Sequence, residues 1–87
     1  MYLHLGQSVV VRYKDIIGIF DLDNASWSHR TRSFLEKAEQ EGRVVSATGD
    51  LPNSFTVCRE GKGKTMVYLS QFSSATLKSR VENGWME

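Results

Sequence analysis

The sequence predicts an α+β fold: a small mixed or antiparallel sheet with one long and one short helix packed on it, in a single domain. Three observations predict it. Segments of strand and helix period follow one another as strands, helix, three strands, helix. The longer helical segment carries a narrow apolar stripe, enough to cover one sheet face. The chain has 87 residues, which is the length of one domain.

Residues 2–5 alternate apolar and polar side chains, Gly6-Gln7-Ser8 breaks the run, and Val9-Val10-Val11 resumes it with β-branched residues. This reads as a hairpin or two short strands. Tyr13-Lys14 interrupts before a β-rich run over 15–20. Its continuous Ile16-Ile17-Gly18-Ile19-Phe20 core predicts burial on both faces, with Gly18 marking a bulge or a close backbone approach. Residues 21–28 are rich in Asp, Asn and Ser and read as a loop.

Residues 30–41 have helical period, with Phe34, Leu35 and Ala38 on one side, Ser28 or Thr31 as N-cap, and Gly42 as a left-handed stop. Strands follow over 43–47, 55–58 and 66–69, separated by a loop at 48–54 and a polar turn at 60–64. Ser73 or Ser74 caps a final helix through about Val81, with Leu77 and Val81 inward. The expected organisation is one α+β regulatory domain over 1–82 and a tail over 83–87 that carries Trp85.

The composition excludes several classes. Eleven Lys and Arg against ten Asp and Glu give a net charge of +1, so no overall basic excess points to nucleic acid. The single cysteine, Cys58, allows no intrachain disulfide, and together with the absence of a leader pattern at Met1 it predicts a cytoplasmic protein. No apolar run nears the ~18–20 residues that span a bilayer, so no membrane partner is expected. A domain this small buries only roughly 60 to 65% of its unfolded surface, and assembly with copies of itself is one way to bury more.

Chemistry finds no carrier. Gly61-Lys62-Gly63-Lys64-Thr65 ends as a phosphate-binding loop does, but the glycine required five positions before Gly63 is Cys58, and a strand follows instead of a helix. The stretch reads as a hairpin turn. His4 and His29 lie 25 positions apart without ligand-spaced partners, so no metal site is predicted. Cys58 reads as a small buried hydrophobe and Asp15, Asp21 and Asp23 as turn-forming, solubilising groups. The prediction is therefore no enzyme, no catalytic residue, no cofactor and no small-molecule substrate.

Surface contacts remain. Basic residues group as Arg12 and Lys14, as His29, Arg30 and Arg32 at the helix start, and as Arg59, Lys62 and Lys64 at the second hairpin, with Glu36, Glu39, Glu41 and Glu60 near them. With those glutamates the groups read first as a solvated face of mixed charge; the alternative is that copies of such positions around an assembly bind phosphate by multivalency. Trp27 in the loop and Trp85 in the tail are large aromatics of the kind enriched at interfaces. With His4 on a strand face, they are the expected homo-oligomer contacts.

The string Tyr2-Leu3-His4-Leu5-Gly6, then Val9-Val10-Val11, then residues 14–21 as Lys-Asp-Ile-Ile-Gly-Ile-Phe-Asp, resembles the bacterial extracellular-matrix regulators of the RemA/RemB family, and the RemB branch in particular. The likeness continues through Thr31-Arg32-Ser33-Phe34-Leu35, 38–42, Val67-Tyr68-Leu69-Ser70 and 73–80. The resemblance implies a cytoplasmic bacterial regulator of biofilm-matrix genes. It also implies ring-like homo-oligomers that bind DNA through repeated basic residues. One basic cluster of the RemA branch matches 49–53 here, which holds no Arg or Lys. If DNA is bound, the residues expected to contact it are Arg12, Lys14, Arg30 and Arg32. The competing reading is an oligomeric protein-interaction module that does not touch DNA.

Overall fold

The computed structural model describes residues 1–22, 29–59 and 61–83. Trp27, Trp85, the Ser28 cap position and Asp23 lie outside the described residues. The elements run β1 (Tyr2–Gly6), β2 (Val9–Arg12), a 3-10 turn (Tyr13–Asp15), β3 (Ile16–Asp21), α1 (His29–Gln40), β4 (Val44–Ser46), β5 (Ser54–Arg59), β6 (Thr65–Ser70) and α2 (Ser74–Asn83). The strands form two sheets, a β1–β2 hairpin and a four-stranded sheet in the order β3-β5-β6-β4. The larger sheet is mixed. β5 is antiparallel to β3 and β6, while β4 runs parallel to β6. Strands β3 and β4 therefore point the same way from opposite edges, and α1 crosses the face between them, as a parallel connection requires.

Each face of the four-stranded sheet has its own core. On one face Phe55, Val57 and Val67 pack with Ala38, Phe34 and Leu35 of α1. On the other, Ile19 and Cys58 pack with Leu3, Leu5 and Val11 of the hairpin and Leu77 of α2. The helices are 12 and 10 residues long.

The helix ends follow from single residues. Gly42, at φ 72°, closes α1 in a Schellman motif. Its N–H donates to the Glu39 carbonyl at 3.1 Å, and Arg43 N–H donates to Ala38 at 2.8 Å. Ser73 caps α2 by accepting from Thr76 N–H at 3.1 Å. Thr31 lies within α1 and is not its cap.

Two bulges shape the surface. In β1 the register passes from His4–Val10 to Gly6–Val9, leaving Leu5 as the extra residue. Its carbonyl accepts instead from the buried Ser70 hydroxyl at 2.6 Å, which ties the hairpin to the larger sheet. In β3 the register passes from Ile16–Cys58 to Gly18–Val57, leaving Ile17 as the extra residue. This corrects the expectation that the isoleucine run is buried on both faces. β3 is an edge strand, its bulge turns Ile17 outward, and Ile17 and Phe20 are 57% and 42% exposed. The strand buried on both faces is β5, whose residues from Ser54 to Cys58 are all buried. Of the two expectations for Gly18, the bulge is the one observed; the group a Cβ would meet there is the Phe20 ring, at 2.6 Å, and not backbone.

Candidate nucleic-acid interface

The 3-10 turn and the end of β5 bring basic side chains together. Arg12 leaves the end of β2, Lys14 sits in the turn, and the antiparallel pairing of Ile16 with Cys58 sets Arg59 beside them. Arg12, Lys14, Asp15, Ile17 and Arg59 line one open basin of about 740 Å³. Within it Arg12 Nε donates to Asp15 Oδ2 at 2.7 Å, so the one described carboxylate of the basin is matched by Arg12. The exposed side chains of Lys14 and Arg59 are left to set its sign. Glu60, next in the chain, lies outside the described residues.

Ile17 also lines a second, apolar groove of about 280 Å³ between β3 and α1, with Phe20, Arg30, Phe34, Phe55 and Val57. Phe20 and Phe55 stack there with ring centroids 5.1 Å apart. Arg30 thus flanks the basic basin across Ile17. Arg32 lines neither cavity. Two residues further along α1 it projects about 200° around the helix from Arg30. The structure therefore joins Arg12 with Lys14, sets Arg30 at the margin, and leaves Arg32 apart.

Arg59 was grouped with the second hairpin in the sequence, yet it meets Arg12 and Lys14 through strand register. The one available signal was its position at the end of an alternating strand, after a buried cysteine.

His4 faces outward from the hairpin, where its Nε2 donates to the Gln7 carbonyl at 2.7 Å and closes the turn. Gln7 takes the left-handed conformation, at φ 48°. On the same outer face stand Tyr2 and Val10, 63% and 50% exposed. The chain thus presents two unlike apolar patches, one on the hairpin and one at the β3 edge.

The Gly-Lys-Thr stretch is the β5–β6 turn, with Gly61 at φ 63° and Thr65 opening β6. Cys58 is buried. Among the described residues no three His, Cys, Asp or Glu side chains group as a metal site, and no helix is long and apolar enough to cross a membrane.

Comparison with known proteins decides the family. The profile of the RemA-like family, described as extracellular matrix regulatory protein A-like, matches residues 2–81. The chain belongs to the RemA-like family. Among its relatives is extracellular matrix regulatory protein B of Bacillus subtilis (strain 168), 39% identical over 82 residues, which are 94% of this chain and 91% of that protein. Matched against this RemA-like chain, the family profile spans every strand and most of α2, so the basic basin and both apolar patches lie inside the shared region.

Proposed function

We propose that this RemA-like chain is a bacterial regulator of extracellular-matrix genes that assembles with copies of itself and contacts the DNA backbone. The observation that carries the DNA contact is the meeting of Arg12, Lys14 and Arg59 around one open basin. Guanidinium and ammonium groups on a concave surface match phosphate oxygens in charge and hydrogen bonding. Contacts to the phosphate backbone position a duplex and carry little sequence information. Arg30 extends the cationic margin. Arg32, on the other side of α1, is the weaker of the four sequence candidates.

Assembly is supported by the two patches. A ring needs a heterologous contact in which one surface of each subunit meets a different surface of the next. The hairpin face with Tyr2, His4 and Val10 and the β3 edge with Ile17 and Phe20 provide two such surfaces. Among the described residues no strand pairs with the outer edge of β3, and an uncovered edge bearing apolar side chains is a template for another chain. Trp27 and Trp85 join these contacts as proposals from the sequence.

A titration of labelled duplex DNA tests the DNA contact. Arg59→Ala weakens binding on all sequences alike and lowers the slope of log affinity against log salt by about 0.9. The exposed Ile17–Phe20 groove favours a second reading, an interaction module that never touches DNA. Absence of binding at low salt selects it.

A further inference from the structure

Arg59 lines two basins. On the side away from Arg12 and Lys14 it borders a cavity of about 350 Å³, which it shares with Lys37 of α1, Glu41, Arg43 and Lys64. The four cations there play different parts. Arg43 is half-buried and committed, with Nη1 donating to the Thr65 carbonyl at 2.8 Å and hydroxyl at 2.9 Å, and Nε donating to Glu41 Oε1 at 2.7 Å. It is a structural cation that joins the end of α1 to the start of β6. Lys64 reaches the other Glu41 oxygen at 3.5 Å, but its side chain is 72% exposed. An exposed pair at that distance contributes little and yields easily to a competing anion. Lys37 and Arg59 are exposed. Glu41 is therefore the single described carboxylate among Lys37, Arg59 and Lys64, and Arg43 holds it ionised, below the usual glutamate range.

We propose that Lys37, Arg59 and Lys64 form a second stretch of phosphate contacts, continuous through Arg59 with the Arg12–Lys14 basin, and that Glu41 is its internal competitor. The ligand is the phosphodiester backbone of a duplex, so the inference rests on the DNA reading above. Because Arg59 is common to both basins, a backbone seated in the first has its next phosphates led toward Lys64 and Lys37. Glu41 takes the place of a phosphate in the unbound protein and gives up Lys64 when DNA arrives. Its carboxylate stays with Arg43.

The test is a salt series of duplex-DNA binding for the full chain and three variants, with thermal unfolding as a check of folding. Lys37→Ala with Lys64→Ala lowers the salt slope by about 1.8, two phosphate contacts. Glu41→Gln, which keeps the shape and the hydrogen bond to Arg43, tightens binding at least about threefold by removing a like charge from the track. Arg12→Ala with Lys14→Ala reports on the first basin alone. A double lysine variant with the wild-type slope, while the Arg12 and Lys14 pair lowers it, overturns this inference and leaves the DNA reading standing. Absence of binding by every form at low salt overturns both. Inorganic triphosphate is the competing arm. Binding of triphosphate at Lys37 and Lys64 with no change in DNA affinity in the double lysine variant overturns the assignment to a duplex.

Discussion

Two buried hydroxyls on neighbouring strands should respond to removal in opposite senses. Ser70 and Thr56 are both fully buried. Ser70 Oγ donates to the Leu5 carbonyl at 2.6 Å and accepts from Phe72 N–H at 3.1 Å. Leu5 is the bulge residue of β1, so its carbonyl has lost its place in the ladder. Ser70→Ala thus strands a buried acceptor and a half-buried donor. At about 1–3 kcal/mol for the buried acceptor and about 1 kcal/mol for the half-buried donor, the loss comes to about 2–4 kcal/mol, a large part of the roughly 4–13 kcal/mol expected for a chain of this length. Thr56 Oγ1 is buried and makes no hydrogen bond among the described residues. Thr56→Val replaces that oxygen by a methyl group of the same shape and keeps the β-branch that suits a strand. It removes a desolvated group without a partner and raises stability by about 1 kcal/mol. Urea unfolding at one fixed protomer concentration reads both, since assembly makes stability depend on concentration. With a urea slope of about 1–1.5 kcal/mol/M, Ser70→Ala lowers the midpoint by about 2 M and Thr56→Val raises it by somewhat under 1 M. A neutral Ser70→Ala, or a Thr56→Val that destabilises by more than 1 kcal/mol, refutes the reasoning.

Other perturbations follow from single sites. Gly6→Ala places a Cβ 2.4 Å from the Ala47 carbonyl oxygen at a φ of 141° that L residues rarely adopt; loss of at least about 2 kcal/mol in thermal or urea unfolding is expected. Leu77→Ala opens a cavity under α2, where the side chain is fully buried, and lowers stability by about 2–5 kcal/mol. Glu41 titrates below the ordinary glutamate value in a carbon-detected NMR series, and Arg43→Met brings it back toward that value, since the Arg43 hydrogen bond is the main cause of its depression. The sign follows from linkage. A carboxylate whose folded pKa lies below its unfolded value adds stability at neutral pH, and that contribution is lost as pH falls through the folded value.

Much of the fold was legible in local pattern. Gly42 and Ser73 marked helix ends because a left-handed stop and a hydroxyl cap are local devices, each complete within a few residues. The β5–β6 turn was legible because a phosphate-binding loop needs a following helix, and Met66-Val67-Tyr68-Leu69 has strand composition. What stayed hidden is set by neighbours distant in the chain. Ile16 to Phe20 have the composition of a central strand, yet β3 lies at the edge. Phe55-Thr56-Val57-Cys58 alternates like a strand with one wet face, yet β5 lies between β3 and β6 with α1 on one side and the hairpin and α2 on the other. The seating of the hairpin on the larger sheet uses the Leu5 carbonyl and the Ser70 hydroxyl, 65 positions away. The basic basin was half legible. Arg12 and Lys14 are neighbours in sequence, whereas Arg59 joins them through the register of Ile16 with Cys58. Arg30 and Arg32 looked equivalent as letters, but helical geometry sends them to different sides of α1.

The central claim is that Arg12, Lys14 and Arg59 contact DNA and that assembly repeats them. The salt slope of duplex binding tests it most directly, measured for the wild-type chain and for Val10→Asp, which puts a charge into the hairpin patch, away from the basic basin. A lone protomer with these three cations and the Lys37 and Lys64 contacts proposed above gives a slope of at most about 4.5. The account predicts a clearly steeper slope for the wild-type particle and a fall to that value or below for Val10→Asp as its native mass drops to one chain. An equal, shallow slope in both proteins, or a wild-type particle with the mass of a single chain, contradicts it.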